Sequence, residues 1–401
     1  MAYDFTGVYQ EEGSSLWSYR LSVLLPNGKK KDTKRKNKYK TRTEAATARA
    51  AHRQQILKDY EDGYGEKKRI RFKDLWIKFI DSYSVDYTYA SVVRYQSLYN
   101  NWIKVFDNYY VDSIRTEDLK NFLYDLKKKD KAYSYIEGFY KCLNGFFKFA
   151  IDNKYLKNNP LLPSCMPSES AAEGFVRKKR GIISVDDFNS ILKSLETSRN
   201  RLPFLLGYYC ALRLGEAYAV RLSDIDIDNL TITINKQLQY QEDEWCFVPP
   251  KYGSYRVINF PPVLLPYIEE LVKDIEDSKI KYPKSYHFTN RIHNKLSVKE
   301  SDYYYEDVDD FLAVQVKGQM LSPNSGRDIP VIMKRHGLVI EGFSFHVLRH
   351  TCCTRLADSN CPVSVLTQFM GHKKISTTWE YYTHVSEQGL EYLKQIQREW
   401  D

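Results

Sequence analysis

No apolar run among the 401 residues approaches the roughly 20 that a membrane-spanning helix needs, which excludes an integral helical membrane protein. The amino-terminal residues carry Asp4 and Glu11 in place of an apolar segment, so a secretory leader is not expected. Paired cysteine spacing is missing too. The seven cysteines are scattered, no CxxC occurs, and the adjacent Cys352 and Cys353 cannot easily bridge each other. That pattern points to reduced thiols in a soluble, cytoplasmic protein. Internal repeats are also absent.

An apolar fraction of 43% suits a folded chain and excludes global disorder. The length exceeds one ordinary core and implies two or three domains. Tyrosine is abundant, at 33 residues. Such rings pack cores or stack on nucleobases, and composition does not choose between the two. The net charge is +9, and its distribution says more than its size. Lys29, Lys30, Lys31, Lys34, Arg35, Lys36, Lys38, Lys40 and Arg42 crowd a segment whose only acid is Asp32. Clustered positive charge attracts polyanions and releases their counterions; a solvated charged face is the other reading.

Three blocks follow one another. In residues 1–65, Trp17 to Leu25 has strand character, Pro26-Asn27-Gly28 supplies a turn, and the lysine run belongs to the next strand. Thr41 and Glu44 fit a capping box before an alanine-rich helix through Ile56. In residues 70–160, Val92, Tyr95, Leu98, Tyr99, Trp102, Ile103 and Phe106 recur at helical spacing, as do Ile136, Tyr140, Leu143, Phe147 and Ile151. A bundle of four or five helices is expected, with the aromatic stripes as its core. A linker with Pro160, Pro163 and Pro167 leads to a third block, 178–401, which Ser184 opens as a helix cap. There Thr231 to Ile234 alternates like a strand, and Tyr255 to Phe260 is expected to pair with a preceding strand around Gly253. The acidic, tyrosine-rich stretch 301–310 suggests no function.

The third block also holds the reactive groups. Arg213 lies between Leu212 and Leu214, on what reads as a helical stretch, where a buried guanidinium demands an anionic partner; Glu216 is the nearby candidate. In Phe345-His346-Val347-Leu348-Arg349-His350, helical spacing puts His346, Arg349 and His350 on one face, a set suited to the several oxygens of a phosphate. Gly371-His372 follows, then Ser376-Thr377-Thr378-Trp379-Glu380-Tyr381-Tyr382-Thr383-His384. Phosphoryl transfer needs in-line placement and charge stabilisation, and two arginines can do for a phosphate what a metal does elsewhere.

The three boxes ALRLGEAYAVRLSDID, HVLRH and MGHKKISTTWEYYTH, in this order, resemble the tyrosine recombinase (phage integrase) family. The resemblance is strong in the third block. It implies a multidomain fold, mainly α with small β-sheets: an N-terminal β-sheet plus helix that binds arm-type DNA sites, a helical core-binding (SAM-like) domain, and a mixed α+β catalytic domain whose tail helix spans Glu387 to Glu399. It implies that Arg213 and Arg349 clamp the scissile phosphate, that His346 and His372 bond its non-bridging oxygens, and that Lys251 protonates the leaving 5′-oxygen. Tyr382 would attack and form a 3′-phosphotyrosyl link, with no cofactor, metal or ATP. The Lys251 to Ser254 turn is one residue shorter than the family's usual hairpin, which leaves Lys236 as a second candidate. Family members place the nucleophile nine or ten residues after the histidine, so Tyr381 competes with Tyr382; Tyr382 fits the ten-residue form that precedes a Thr-His pair. The implied partners are double-stranded DNA at core and arm-type sites, further copies of the chain in a tetrameric synapse, and an excisionase or DNA-bending protein. The expected function is site-specific recombination that integrates and excises a mobile element. Three other readings compete. A metal-dependent nuclease would use His346, His350 and His372, but HVLRH lacks the glutamate of HExxH. A type IB topoisomerase shares the chemistry without synapsis, and a catalytically inactive regulator would keep only the DNA binding.

Overall fold

The computed structural model describes residues 3–64, 69–169, 181–292, 295–300 and 308–382. It divides into two compact units, Met1–Val176 and Arg177–Asp401. Both are mainly helical with small antiparallel sheets.

The first unit holds two separate cores. Strands β1 (Val8–Gln10), β2 (Trp17–Leu24) and β3 (Lys30–Tyr39) form an antiparallel sheet in that order. Helix α1 (Arg42–Glu61) starts at the expected capping box: Thr41 Oγ1 accepts from the Glu44 amide at 3.1 Å, and Glu44 accepts from the Thr41 amide at 3.3 Å. Period-two alternation buries Tyr19, Leu21 and Val23 of β2. Their β3 partners are Arg35, Thr33 and Lys31. The opposite face of the pair carries Arg20, Lys30 and Lys34 in the open. Helices α2 (Phe72–Asp86), α3 (Tyr89–Asn101), α4 (Thr116–Lys128) and α5 (Tyr133–Asp152) build the second core. The aromatic stripes are its interior: Trp76 stacks on Tyr99 with centroids 4.6 Å apart, and Phe72 meets Phe146 at 4.3 Å. The helical spacing read through Phe106 does not make one helix. Trp102 leaves helical geometry at φ −144°, and Ile103–Phe106 continues as a 3₁₀ turn.

In the second unit, α6 (Val185–Ser194) is capped by Ser184, whose Oγ accepts from Asp187 at 3.0 Å. Next come α7 (Arg201–Tyr209), the short α8 (Leu214–Ala217), β4 (Ile225–Asp226), β5 (Thr231–Ile234), β6 (Gln237–Gln241), β7 (Glu244–Val248), β8 (Arg256–Asn259) and α9 (Leu265–Lys281). Then follow β9 (His287–Ile292), β10 (Lys295–Glu300), β11 (Val308–Asp309), α10 (Ile329–Arg335), α11 (Phe345–Asp358), α12 (Val363–Met370) and α13 (Ile375–Tyr382). One sheet has the order β4-β5-β8 and the other β11-β9-β10-β7-β6. The expected pairing across Gly253 is therefore absent: β8 pairs with β5, Ile258 opposite Ile232, while β7 pairs with β6 and β10. Residues 301–307 and the expected tail helix 387–399 lie outside the described residues.

Helix α7 packs closely on α11. A Cβ on Gly207 would meet the Phe345 ring at 2.9 Å and Leu348 at 3.0 Å, so glycine here leaves room for these two side chains of α11. This contact fixes α11, and with it Arg349, against the chain that leaves α7 toward Arg213.

Candidate active site

Arg213 is not on a helix. Helix α7 ends at Tyr209, Ala211 takes the left-handed conformation at φ 53°, and Arg213 is the extended N-cap of α8. Its guanidinium donates to Glu216 at 2.8 Å, to Ser254 Oγ at 3.2 Å and to the Gly371 carbonyl at 2.9 Å. Three of a guanidinium's five donors are thereby used to hold it, and two remain for a ligand.

Arg349 is only 2% exposed. It donates to the Ala211 carbonyl at 2.5 Å and to the Met370 carbonyl. The strained turn at Ala211 thus has a use: it aims a carbonyl at a buried cation. Burial first, and Arg213 second, push the Arg349 guanidinium down to about 10, so it remains charged at neutral pH. Backbone carbonyls orient both arginines without neutralising them. Charge balance comes from Glu216, which is 1% exposed and ion-paired to Arg213 and, at 2.8 Å, to Arg256. Burial raises its carboxyl, but the Arg256 and Arg213 guanidiniums outweigh burial and hold it below the usual carboxylate range. Arg256, on β8, also donates to the Phe369 carbonyl at 3.0 Å. Arg213 therefore has its structural partner in Glu216 and keeps donors in reserve.

Gly371 closes α12 at φ 62°, and a Cβ there would stand 3.0 Å from the Ser254 Cβ. A Gly371→Ala variant should lose about 1–2 kcal/mol from the left-handed conformation alone. It should also displace the carbonyl that holds Arg213, so anion binding at the guanidinium should fall further than stability; phosphate affinity and urea midpoint, measured side by side, check this.

His372 follows at once, with Nδ1 3.0 Å from Thr378 Oγ1. Burial, then Arg349 and Arg213, push its imidazole down to about 4, so it is neutral at pH 7. His346 is exposed on α11 and lies near enough to His372 to contribute to that depression. Among the described residues, no three His, Cys, Asp or Glu side chains converge as a metal site requires, so His346, His350 and His372 do not form a ligand set. An open recess of about 340 Å³ adjoins the arginines, lined by Tyr252, Ser254, Arg256, Thr367, Gly371 and His372 among others.

The two lysines part ways. Lys236 is ion-paired to Asp224, which belongs to a network with Arg221 and Asp309. Lys251 is exposed, its ammonium 5.1 Å from the Tyr252 ring, in the turn whose far end supplies Ser254 to Arg213. The tyrosines also differ. The Tyr381 ring is 5.0 Å from that of His350 and 6.3 Å from that of His372. The Tyr382 hydroxyl donates to the Cys361 carbonyl, and burial raises its phenol. Sequence reasoning missed Arg256, Ser254 and Thr378. Arg256 had a signal, since on an alternating strand it shares its inward face with Ile258.

The arrangement is a cradle of fixed positive charge with a neutral imidazole beside it and two phenols at the end of the adjoining helix. It can bind a phosphodiester and offer it a nucleophile. Comparison with known proteins agrees. Residues 182–389, which are 208 of the 401, match the phage integrase family. A XerC-like tyrosine recombinase of Caldanaerobacter subterraneus subsp. tengcongensis is 24% identical over 313 residues, covering 74% of each chain. The transposase from transposon Tn916 of Enterococcus faecalis is 24% identical over 305 residues, 72% of this chain and 68% of that one. Among solved structures, the integrase of transposon Tn1549 in complex with transposon right end DNA aligns at a TM-score of 0.66 and 17% identity, covering 82% of this chain and 100% of that chain. A lambda integrase dimer bound to a core site aligns at 0.52 and 15% identity, covering 94% of each. The chain belongs to the phage integrase family and is a tyrosine recombinase, an enzyme that cleaves and rejoins DNA strands.

Proposed function

We propose that this recombinase integrates and excises a mobile element, holding the scissile phosphate between Arg213 and Arg349 and attacking it with Tyr382. The observation that carries this reading is the pair of carbonyl-anchored guanidiniums, each with donors left over, beside His372. Attack by the phenol oxygen on phosphorus, its proton passing to His346, forms the 3′-phosphotyrosyl bond and breaks the bond to the 5′-oxygen. Lys251 supplies that oxygen with its proton from a turn already tied to Arg213 through Ser254, and His346 and His372 contact the non-bridging oxygens. Tyr382 is the nucleophile by its place before Thr383 and His384. Its hydroxyl must first leave the Cys361 carbonyl, so the last turn of α13 moves before cleavage. The proximity of the Tyr381 ring to His350 and His372 favours the second reading, in which Tyr381 attacks.

Because the positive charge at the phosphate is supplied by arginine, cleavage of a duplex carrying the site should proceed at an undiminished rate in excess EDTA. Activity that vanishes with the chelator and returns with zinc or magnesium would overturn the mechanism.

The residue-1–65 block is assigned to arm-type DNA sites. The relatives' solved complexes contain DNA, and the open face of β2 and β3 is basic. Replacing Arg20, Lys30 and Lys34 with alanine should weaken binding to duplexes from the element's ends while core-site cleavage persists. The slope of log affinity against log salt should drop by about 0.9 for each phosphate that the variant no longer neutralises. An unchanged slope would make this face mere solvated surface. Lambda integrase has been solved as a tetramer bound to a Holliday junction; we assign this chain the same assembly on two duplexes, with an excisionase or DNA-bending partner setting direction.

A further inference from the structure

Thr378 is fully buried and lies between His372 and Thr367. Thr367, on α12, has its Oγ1 2.6 Å from the Val363 carbonyl and 2.9 Å from Thr378 Oγ1. A hydroxyl carries one proton, and a carbonyl oxygen only accepts. The shorter contact therefore claims the Thr367 proton for Val363. Thr378 must then donate to Thr367, because no other proton lies between the two oxygens. With its proton committed, Thr378 can only accept from the imidazole. We infer that Thr367 and Thr378 are positioning residues, a one-way hydroxyl relay that fixes His372 with its proton on Nδ1 and leaves Nε2 an acceptor.

The relay gives the cradle an unexpected polarity. Around His372 stand Arg213 before α8, Arg256 on β8, His346 and Arg349 on α11, and the Tyr381 ring on α13. Three of these groups are permanent cations, and together with burial they keep the ring neutral. A neutral ring with a bare Nε2 repels a phosphate oxygen. If His372 bonds a non-bridging oxygen, as the proposed function has it, Nε2 must take one proton from solvent as the phosphate enters, and the phosphate's negative charge favours that uptake. This consequence rests on the proposed function; the tautomer does not.

The test is nitrogen-15 NMR of the full-length protein labelled at histidine, at pH 7, with the His372 signals identified by their loss in His372→Gln. Wild type should show the proton on Nδ1 and a bare Nε2. Thr378→Val keeps the shape and removes the acceptor, so the proton should move to Nε2. Thr367→Val keeps the backbone carbonyl that accepts from the His372 amide and removes only the hydroxyl, so it should produce the same switch by freeing the Thr378 proton to turn toward Nδ1. Thr378→Ser should restore the wild-type pattern. A proton on Nε2 in wild type, or valine variants that leave the tautomer unchanged, would overturn the relay. Both outcomes are read without DNA, so they stand apart from the success or failure of the assigned nucleophile.

Discussion

Tyr382→Phe should give no covalent protein–DNA adduct on a nicked suicide duplex, where wild-type protein accumulates one that survives detergent. The substitution deletes one oxygen and keeps the ring. The missing bond to the Cys361 carbonyl is a single hydrogen bond, worth about 1 kcal/mol, so folding and DNA affinity should barely change. The chemical loss is total, because phosphorus has no other oxygen to accept it at that position. With its hydroxyl on Cys361 the phenol is held protonated by burial, and the Cys361 and Cys353 thiols reinforce this. Beside Arg213 and Arg349 the phenolate would be favoured instead, since nearby cations stabilise the charged form. Leaving the Cys361 carbonyl and becoming reactive are thus one event. Tyr381→Phe should still form the adduct, within about tenfold of wild type, the scale of one hydrogen bond.

The second large effect concerns stability. Glu216→Gln keeps size and shape but leaves Arg213 and Arg256 without their shared anion, with Arg349 close by. Breaking a buried ion pair from one side costs roughly 3–5 kcal/mol. The urea transition of the Arg177–Asp401 unit, followed by hydrogen exchange in α7 and α11, should move to markedly lower denaturant. Glu216 also sets the acid response. Its folded-state carboxyl is held below the usual range, so its contribution is fully present above the unfolded-state value and is lost as pH falls through the folded one. Wild type should therefore weaken steeply in acid while Glu216→Gln loses less over the same window. Equal steepness in both proteins would remove Glu216 from the centre of the cradle.

What could be read in advance divides along physical lines. The caps at Thr41 and Ser184 were legible because each is a local exchange of hydrogen bonds within four residues. The shared face of His346 and Arg349 follows from helical periodicity, and the aromatic core of the bundle from the same rule. Non-local pairing was not legible. The short stretch before β8 reads as a hairpin, yet its strand returns to β5, because Ile232 and Ile258 share one core layer. Nor do the acceptors that orient the arginines leave a trace in residue types: the carbonyls of Ala211, Met370 and Gly371 belong to the backbone, and any sequence has them. Arg213 read as helical because its apolar neighbours mask a break that only Ala211's positive φ reveals. Nothing in the residue types marks Thr378; its burial against His372 and Thr367 comes from tertiary packing of α13 on α12.

The most direct measurement is peptide mapping of the wild-type adduct after proteolysis. The expected product is a 3′-phosphate of DNA esterified to Tyr382. Attachment at Tyr381 would contradict the assigned nucleophile, and cleavage with no tyrosine attached would contradict the mechanism as a whole.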